Sequence, residues 1–166
     1  MRNNIAKRLA FLSVAIALSM ILSFVESQIP PLSTIPGVKI GLANIVTVFL
    51  LYKLGIKEAV TVSVIRVLLS ALLFGSFVSL MYSAFGAVFA LIIMIPAKKF
   101  TPFSPIGVSV LGAVAHNAGQ ILAALILLGN AAIVYYLIPL TLSGLIAGIL
   151  VGLLGGIVAE RISIKK

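Results

Sequence analysis

Polar side chains are scarce in this chain, and the few that fall inside apolar runs mark where chemistry is possible. Ala115-His116-Asn117-Ala118-Gly119-Gln120 puts His116 and Gln120 one turn apart on a helix face, with Asn117 three residues before Gln120. Three hydrogen-bonding side chains on about one turn, with Gly119 clearing space beside them, suit a binding pocket. Polar contact between helices is the competing use of such a turn. Arg66 follows Lys57 by nine residues, roughly 13 Å along a helix and so near the bilayer midplane. An arginine there costs at least about 2.5 kcal/mol unless it faces a partner or a cavity, so it either bonds backbone carbonyls or faces a substrate. The third polar group is Pro36-Gly37-Val38-Lys39-Ile40-Gly41-Leu42-Ala43-Asn44, where a Pro-Gly turn, a cation and an amide fall together. A helix starting after the turn would aim its free N–H groups where Lys39 points, an arrangement that attracts anions. Anchoring of Lys39 in the headgroup layer is the alternative. One histidine and no cysteine leave metal and nucleophile chemistry without their usual companions. No catalytic residue, metal site or cofactor is expected.

The elements that hold these residues are membrane helices. The chain of 166 residues is 62% hydrophobic and 9% charged, with a mean hydropathy of +1.31, outside the range of soluble domains. At about 20 residues per span, residues 1–166 form one membrane domain of roughly five or six helices. The first, from Ile5 to Glu26, is read as retained, because its apolar run exceeds a signal peptide's and leads to Glu26 rather than to a small-residue cleavage site. Small residues recur along it at i, i+4: Ala6 and Ala10, Ser13 and Ala17, Ala15 with Ser19 and Ser23. After a proline-rich loop the expected helices are Lys39–Lys53, short for a span, Lys57–Phe74, Phe77–Ile95, Ile106–Leu128 and Ala132–Ile162. The second is either partial or preceded by a loop that dips into the membrane. Gly144, Gly148, Gly152 and Gly156 line one face of the last, for close helix packing or subunit docking. Tyr135 and Tyr136 fit an aromatic belt.

With six spans, Arg2, Lys7 and Arg8, then Lys53 and Lys57, then Lys98 and Lys99, then Arg161, Lys165 and Lys166 fall on one side. Positive charge stays in the cytoplasm, so a multi-pass cell-membrane protein with both termini cytoplasmic is expected. Five or seven spans would scatter the clusters over both faces. The +9 net charge thus reflects topology and not nucleic-acid binding.

The runs Pro36 to Thr47, Arg66-Val67-Leu68-Leu69, Phe103 to Ser109 and Gly112 to Gln120 resemble the Gx transporter family, also labelled heptaprenyl diphosphate synthase component I. The resemblance covers most of the chain. It implies an all-α, six-helix fold like that of the S components of energy-coupling factor (ECF) transporters, which bind a vitamin-like molecule. Such proteins dock on a transmembrane coupling subunit driven by two cytoplasmic ATPases, through small residues on the first helix. Ser13 and Ala17 are the nearest equivalents here. The synthase label is weighed by composition: prenyl synthases hold magnesium on aspartate-rich motifs, and this chain has no aspartate. Nor has it a glycine-rich phosphate loop ending in Lys-Ser or Lys-Thr, so ATP-driven transport needs separate ATPases.

The expected function is therefore substrate binding for a transporter of a small, anionic, vitamin-like or quinone- or isoprenoid-related molecule. A non-catalytic partner of a prenyl synthase and a stand-alone facilitator are the alternatives. The expected site lies in the outer half of the membrane and is built from Lys39, Asn44, Arg66, His116, Asn117 and Gln120, with Glu26 as the candidate counter-charge.

Overall fold

The computed structural model describes residues 2–28 and 41–162. Among these the chain is all α: α1 (Arg2–Gln28), α2 (Asn44–Lys53), α3 (Ile56–Phe74), α4 (Phe77–Phe100), α5 (Pro105–Leu128) and α6 (Leu137–Arg161), with a 3-10 turn at Ala131–Tyr136 before the last. Side-chain oxygens close the starts of three of these segments, as backbone N–H groups there have no helical partner. Ser76 accepts from Ser79 N, Ser104 from Gly107 N ahead of Pro105, and Asn130 from Ala132 N. Gly129, at φ 63, ends α5 in the left-handed conformation that a glycine adopts without strain.

α5 lies between α4 and α6, α6 also packs on α2, and α3 joins α2 to α4, which closes a ring of five helices. α1 packs from outside on α3 and touches α2. Close packing in lipid depends on small residues, and the α6 glycines supply them. A Cβ on Gly148 would fall 2.7 Å from Val110 Cα, and one on Gly152 2.6 Å from Ile106 Cα. Gly144 and Gly156 also face α5, whereas Gly155 faces Val48 of α2. The glycine ladder is thus an intramolecular seam. Large side chains such as Leu72, Ile92, Ile126 and Ile146 point outward, as lipid permits.

Four segments, 6–28, 77–100, 105–128 and 131–161, are long and apolar enough to cross a membrane. Among the described residues, α2 and α3 fall short of this measure of length and composition, so four of the six expected spans meet it. α2 has ten residues, about 15 Å at 1.5 Å per residue, half a bilayer core. α3 carries Lys57, Glu58 and Arg66 in its 19 residues. Several bounds also differ, α1 running Arg2–Gln28 rather than Ile5 to Glu26. α4 runs past Pro96 to Phe100, because a proline this near the end frees few backbone groups and the Thr101 hydroxyl donates to the Ala97 carbonyl. The last helix begins at Leu137 rather than Ala132, because Pro139 has no N–H to give the Tyr135 carbonyl and its ring crowds that carbonyl, so it costs least in a first turn. The second begins at Asn44 after a turn at Gly41, whose φ is 78, while the Pro36-Gly37 turn and Lys39 lie outside the described residues.

The basic groups gather at one end of the bundle. Arg8 pairs with the buried Glu58, Lys98 Nζ lies 5.7 Å from the Tyr52 ring centroid, and the Tyr52 hydroxyl donates to the Phe103 carbonyl at 2.9 Å. Gly156, one turn before Arg161, rests on Pro105. At the opposite end Phe24 meets Phe74 edge to face at 5.7 Å.

Candidate functional site

Because α2 is only half a span long, its start lies at cavity depth within the bundle, where α1, α3, α4 and α5 converge. Thr47 and Ser63 share a 3.1 Å hydrogen bond that fixes α2 against α3, and Glu26 reaches across from α1. The Glu26 carboxylate accepts the Gly41 N–H. A negative group therefore already sits at the backbone donor where an anion was expected to bind, and it belongs to the chain itself.

Above this turn is a cavity of about 110 Å3. Of the residues singled out from sequence, Asn44, Arg66, His116 and Gln120 line it together, coming from α2, α3 and α5. Asn117 is not brought into it: its amide donates to the Leu140 carbonyl, which pins α5 to α6, and it lines a smaller neighbouring cavity of about 40 Å3. Lys39 lies outside the described residues. Asn44, His116 and Gln120 border both cavities. The larger is below the few hundred Å3 typical of small-molecule sites, so it has room for a polar head and not for a whole organic body.

Serines complete the lining, and sequence reading did not assign them: Ser23 from α1, Ser70 from α3, Ser79 and Ser83 from α4. Their spacing gave the signal, since Ser70 is one turn from Arg66 and Ser79 one turn from Ser83. Among the described residues, Ser23 Oγ, Arg66 Nε and Ser70 Oγ are buried with no hydrogen-bond partner. All three border this one cavity. Buried polar atoms are rarely left unpaired, because each costs about 1 to 3 kcal/mol. Their convergence is what a polar ligand or bound water would satisfy.

Glu26 and Arg66 border the same cavity, yet no direct ion pair joins them; among the described residues the ion pair is Arg8 with Glu58. Arg66 Nε thus retains a donor that no described residue uses.

The room beside His116 comes from α4. A Cβ on Gly86 would fall 2.5 to 2.7 Å from the His116 ring, so the imidazole lies against bare backbone. Gly119, expected to clear space at the pocket, instead meets Phe85 O, 2.5 Å from where its Cβ would be. It brings α4 and α5 together.

α1 sorts its small residues by face. Ala15 and Ser19 are buried, whereas Ala6, Ala10, Ser13 and Ala17 lie along one exposed face.

A family model described as heptaprenyl diphosphate synthase component I matches residues 15–158. No curated protein and no solved structure matches the chain.

Proposed function

The chain belongs to the heptaprenyl diphosphate synthase component I family, and from that premise we propose that it is the substrate-binding S component of an ECF-type transporter for a small anionic molecule. The observation that carries the proposal is the convergence of Ser23 Oγ, Arg66 Nε and Ser70 Oγ, buried and unpartnered, on one cavity inside a membrane-helix bundle. A helix bundle built only for anchorage gains nothing from three unsatisfied polar atoms in one place. Asn44, Arg66, His116 and Gln120 hold the ligand's polar part, and Arg66 sets its sign. Asn117 acts behind them by fixing α5 on α6, and Lys39 is assigned to the entrance by its charge. The exposed face of Ser13 and Ala17 meets the coupling subunit, whose two ATPases supply the energy. The basic end faces the cytoplasm, and both termini lie there.

The family description itself favours a second reading, that of a membrane partner for a prenyl synthase. In either case the aspartate-rich magnesium motif of a prenyl synthase would come from another subunit, since this chain has no aspartate. Mild-detergent purification of the tagged chain separates the readings. An S component brings down a membrane coupling subunit and two ATPases; an aspartate-rich soluble enzyme in their place would establish the synthase partnership.

Reporter fusions test the orientation. Junctions after Leu32 and after Lys98 should report opposite compartments, with Lys98 inside. The same compartment for both would exclude the six-pass path.

A further inference from the structure

A third cavity adjoins the polar one and differs from it in size and character. It has a volume of about 440 Å3, within the range of small-molecule sites. α4 contributes Val78 and Tyr82, α5 contributes Ile121 and Ala124, and the 3-10 turn contributes Ile133 and Tyr136. Ile121 and Ala124 are buried and form its floor, whereas Val78 and Tyr136 are about half exposed and leave its rim open. Ser79 and Gln120 border both this chamber and the Arg66 cavity. The buried Gln120 stands at the junction, with polar space on one side and apolar space on the other.

We propose that the ligand is a single-tailed amphiphile, its anionic head in the Arg66 cavity and its hydrocarbon tail in the apolar chamber, with Gln120 at the neck between them. The inference rests on the binding function proposed above and adds the substrate class. Each half explains the other's shape. The polar cavity is too small for a whole organic molecule, and the chamber has hydroxyls and the Gln120 amide in its lining but no charged side chain among the described residues to hold an anion. The head meets Arg66 and the hydroxyls of Ser23 and Ser70, while Glu26 is held on Gly41 N. The half-exposed rim at Val78 and Tyr136 gives such a molecule a way in.

The test uses the full chain in phosphatidylcholine nanodiscs titrated with octyl phosphate, ethyl phosphate and octanol, with partition into protein-free discs subtracted. Each buried CH2 is worth about fourfold in affinity. Octyl phosphate should therefore bind at least tenfold more tightly than ethyl phosphate, and more tightly than octanol. Ala124→Phe, which fills the chamber floor, should remove the gain from the chain and leave ethyl phosphate binding intact; Arg66→Gln should weaken both phosphates. If Ala124→Phe fails to fold, Ile133→Trp narrows the chamber from its rim with the same expected result. Equal binding of octyl and ethyl phosphate, still dependent on Arg66, would overturn the amphiphile inference and leave the anion site standing. Octanol binding as tightly as octyl phosphate would overturn it too, by making the chamber an ordinary lipid groove. Absence of any Arg66-dependent phosphate binding would remove the binding function itself.

Discussion

Arg66→Met should weaken octyl phosphate binding by about ten- to 150-fold without lowering the melting temperature. The affinity loss is that of one charge-assisted hydrogen bond, about 1.5 to 3 kcal/mol. Stability is expected to hold because Arg66 Nε has no partner to lose among the described residues and no direct ion pair ties Arg66 to Glu26. Methionine also relieves the cost of a guanidinium within an apolar bundle, which insertion scales put at about 2.5 kcal/mol or more. The companion variant Glu26→Gln should act with the opposite sign. It keeps an oxygen to accept the Gly41 N–H while removing the negative charge that faces the ligand's head, so anion binding should tighten several-fold. Titration and thermal melting of both variants check the assignment. Binding weakened equally by the two, with a lower melting temperature in each, would mean that Glu26 and Arg66 serve each other and not a ligand.

Gly119→Ala should lower stability by about 1 to 3 kcal/mol, a fall of roughly 2 to 10 °C for a chain of this size. The added methyl would lie 2.5 Å from Phe85 O and 2.8 Å from Phe85 C, which are backbone atoms of α4 that no rotamer change can move aside. Gly156→Ala is the control, since its methyl meets Pro105 at 3.3 Å and requires only a slight adjustment. Gly86→Ala adds a third outcome. Its methyl would displace the His116 ring rather than a backbone, so binding should change more than melting does. Similar melting shifts in all three variants would show that the α4–α5 spacing is not set at Gly119.

Helix existence was legible in the sequence wherever an apolar run was long and bounded by turn residues. The third helix, expected from Lys57 to Phe74, runs Ile56–Phe74, and the fifth, expected from Ile106 to Leu128, runs Pro105–Leu128, because Gly55, Gly75, Pro105 and Gly129 mark their ends locally. The late start of α6 was also written in the chain, at Pro139, but an unbroken hydropathy pattern obscured it. The position of α2 was harder to read. Its start depends on a turn at Gly41, and a glycine does not announce the sign of its φ.

The sequence by itself determined that this is an all-α membrane-type chain, that it has no aspartate and so no aspartate-rich magnesium motif, and that α2, α3 and α5 carry the polar side chains Asn44, Arg66, His116, Asn117 and Gln120 within apolar runs. Composition and helical period decide these matters without knowledge of which helices touch. Only the tertiary structure decided which of those side chains share a space. It placed Asn44, Arg66, His116 and Gln120 around one cavity and turned Asn117 toward Leu140. It brought Glu26 onto Gly41 across a separation of 15 residues, and set an apolar chamber on the far side of Gln120. Such outcomes depend on the rotation and depth of each helix against its neighbours. Those are fixed by close backbone contacts at Gly119, Gly148 and Gly152, a property of pairs of helices that no single stretch of sequence contains.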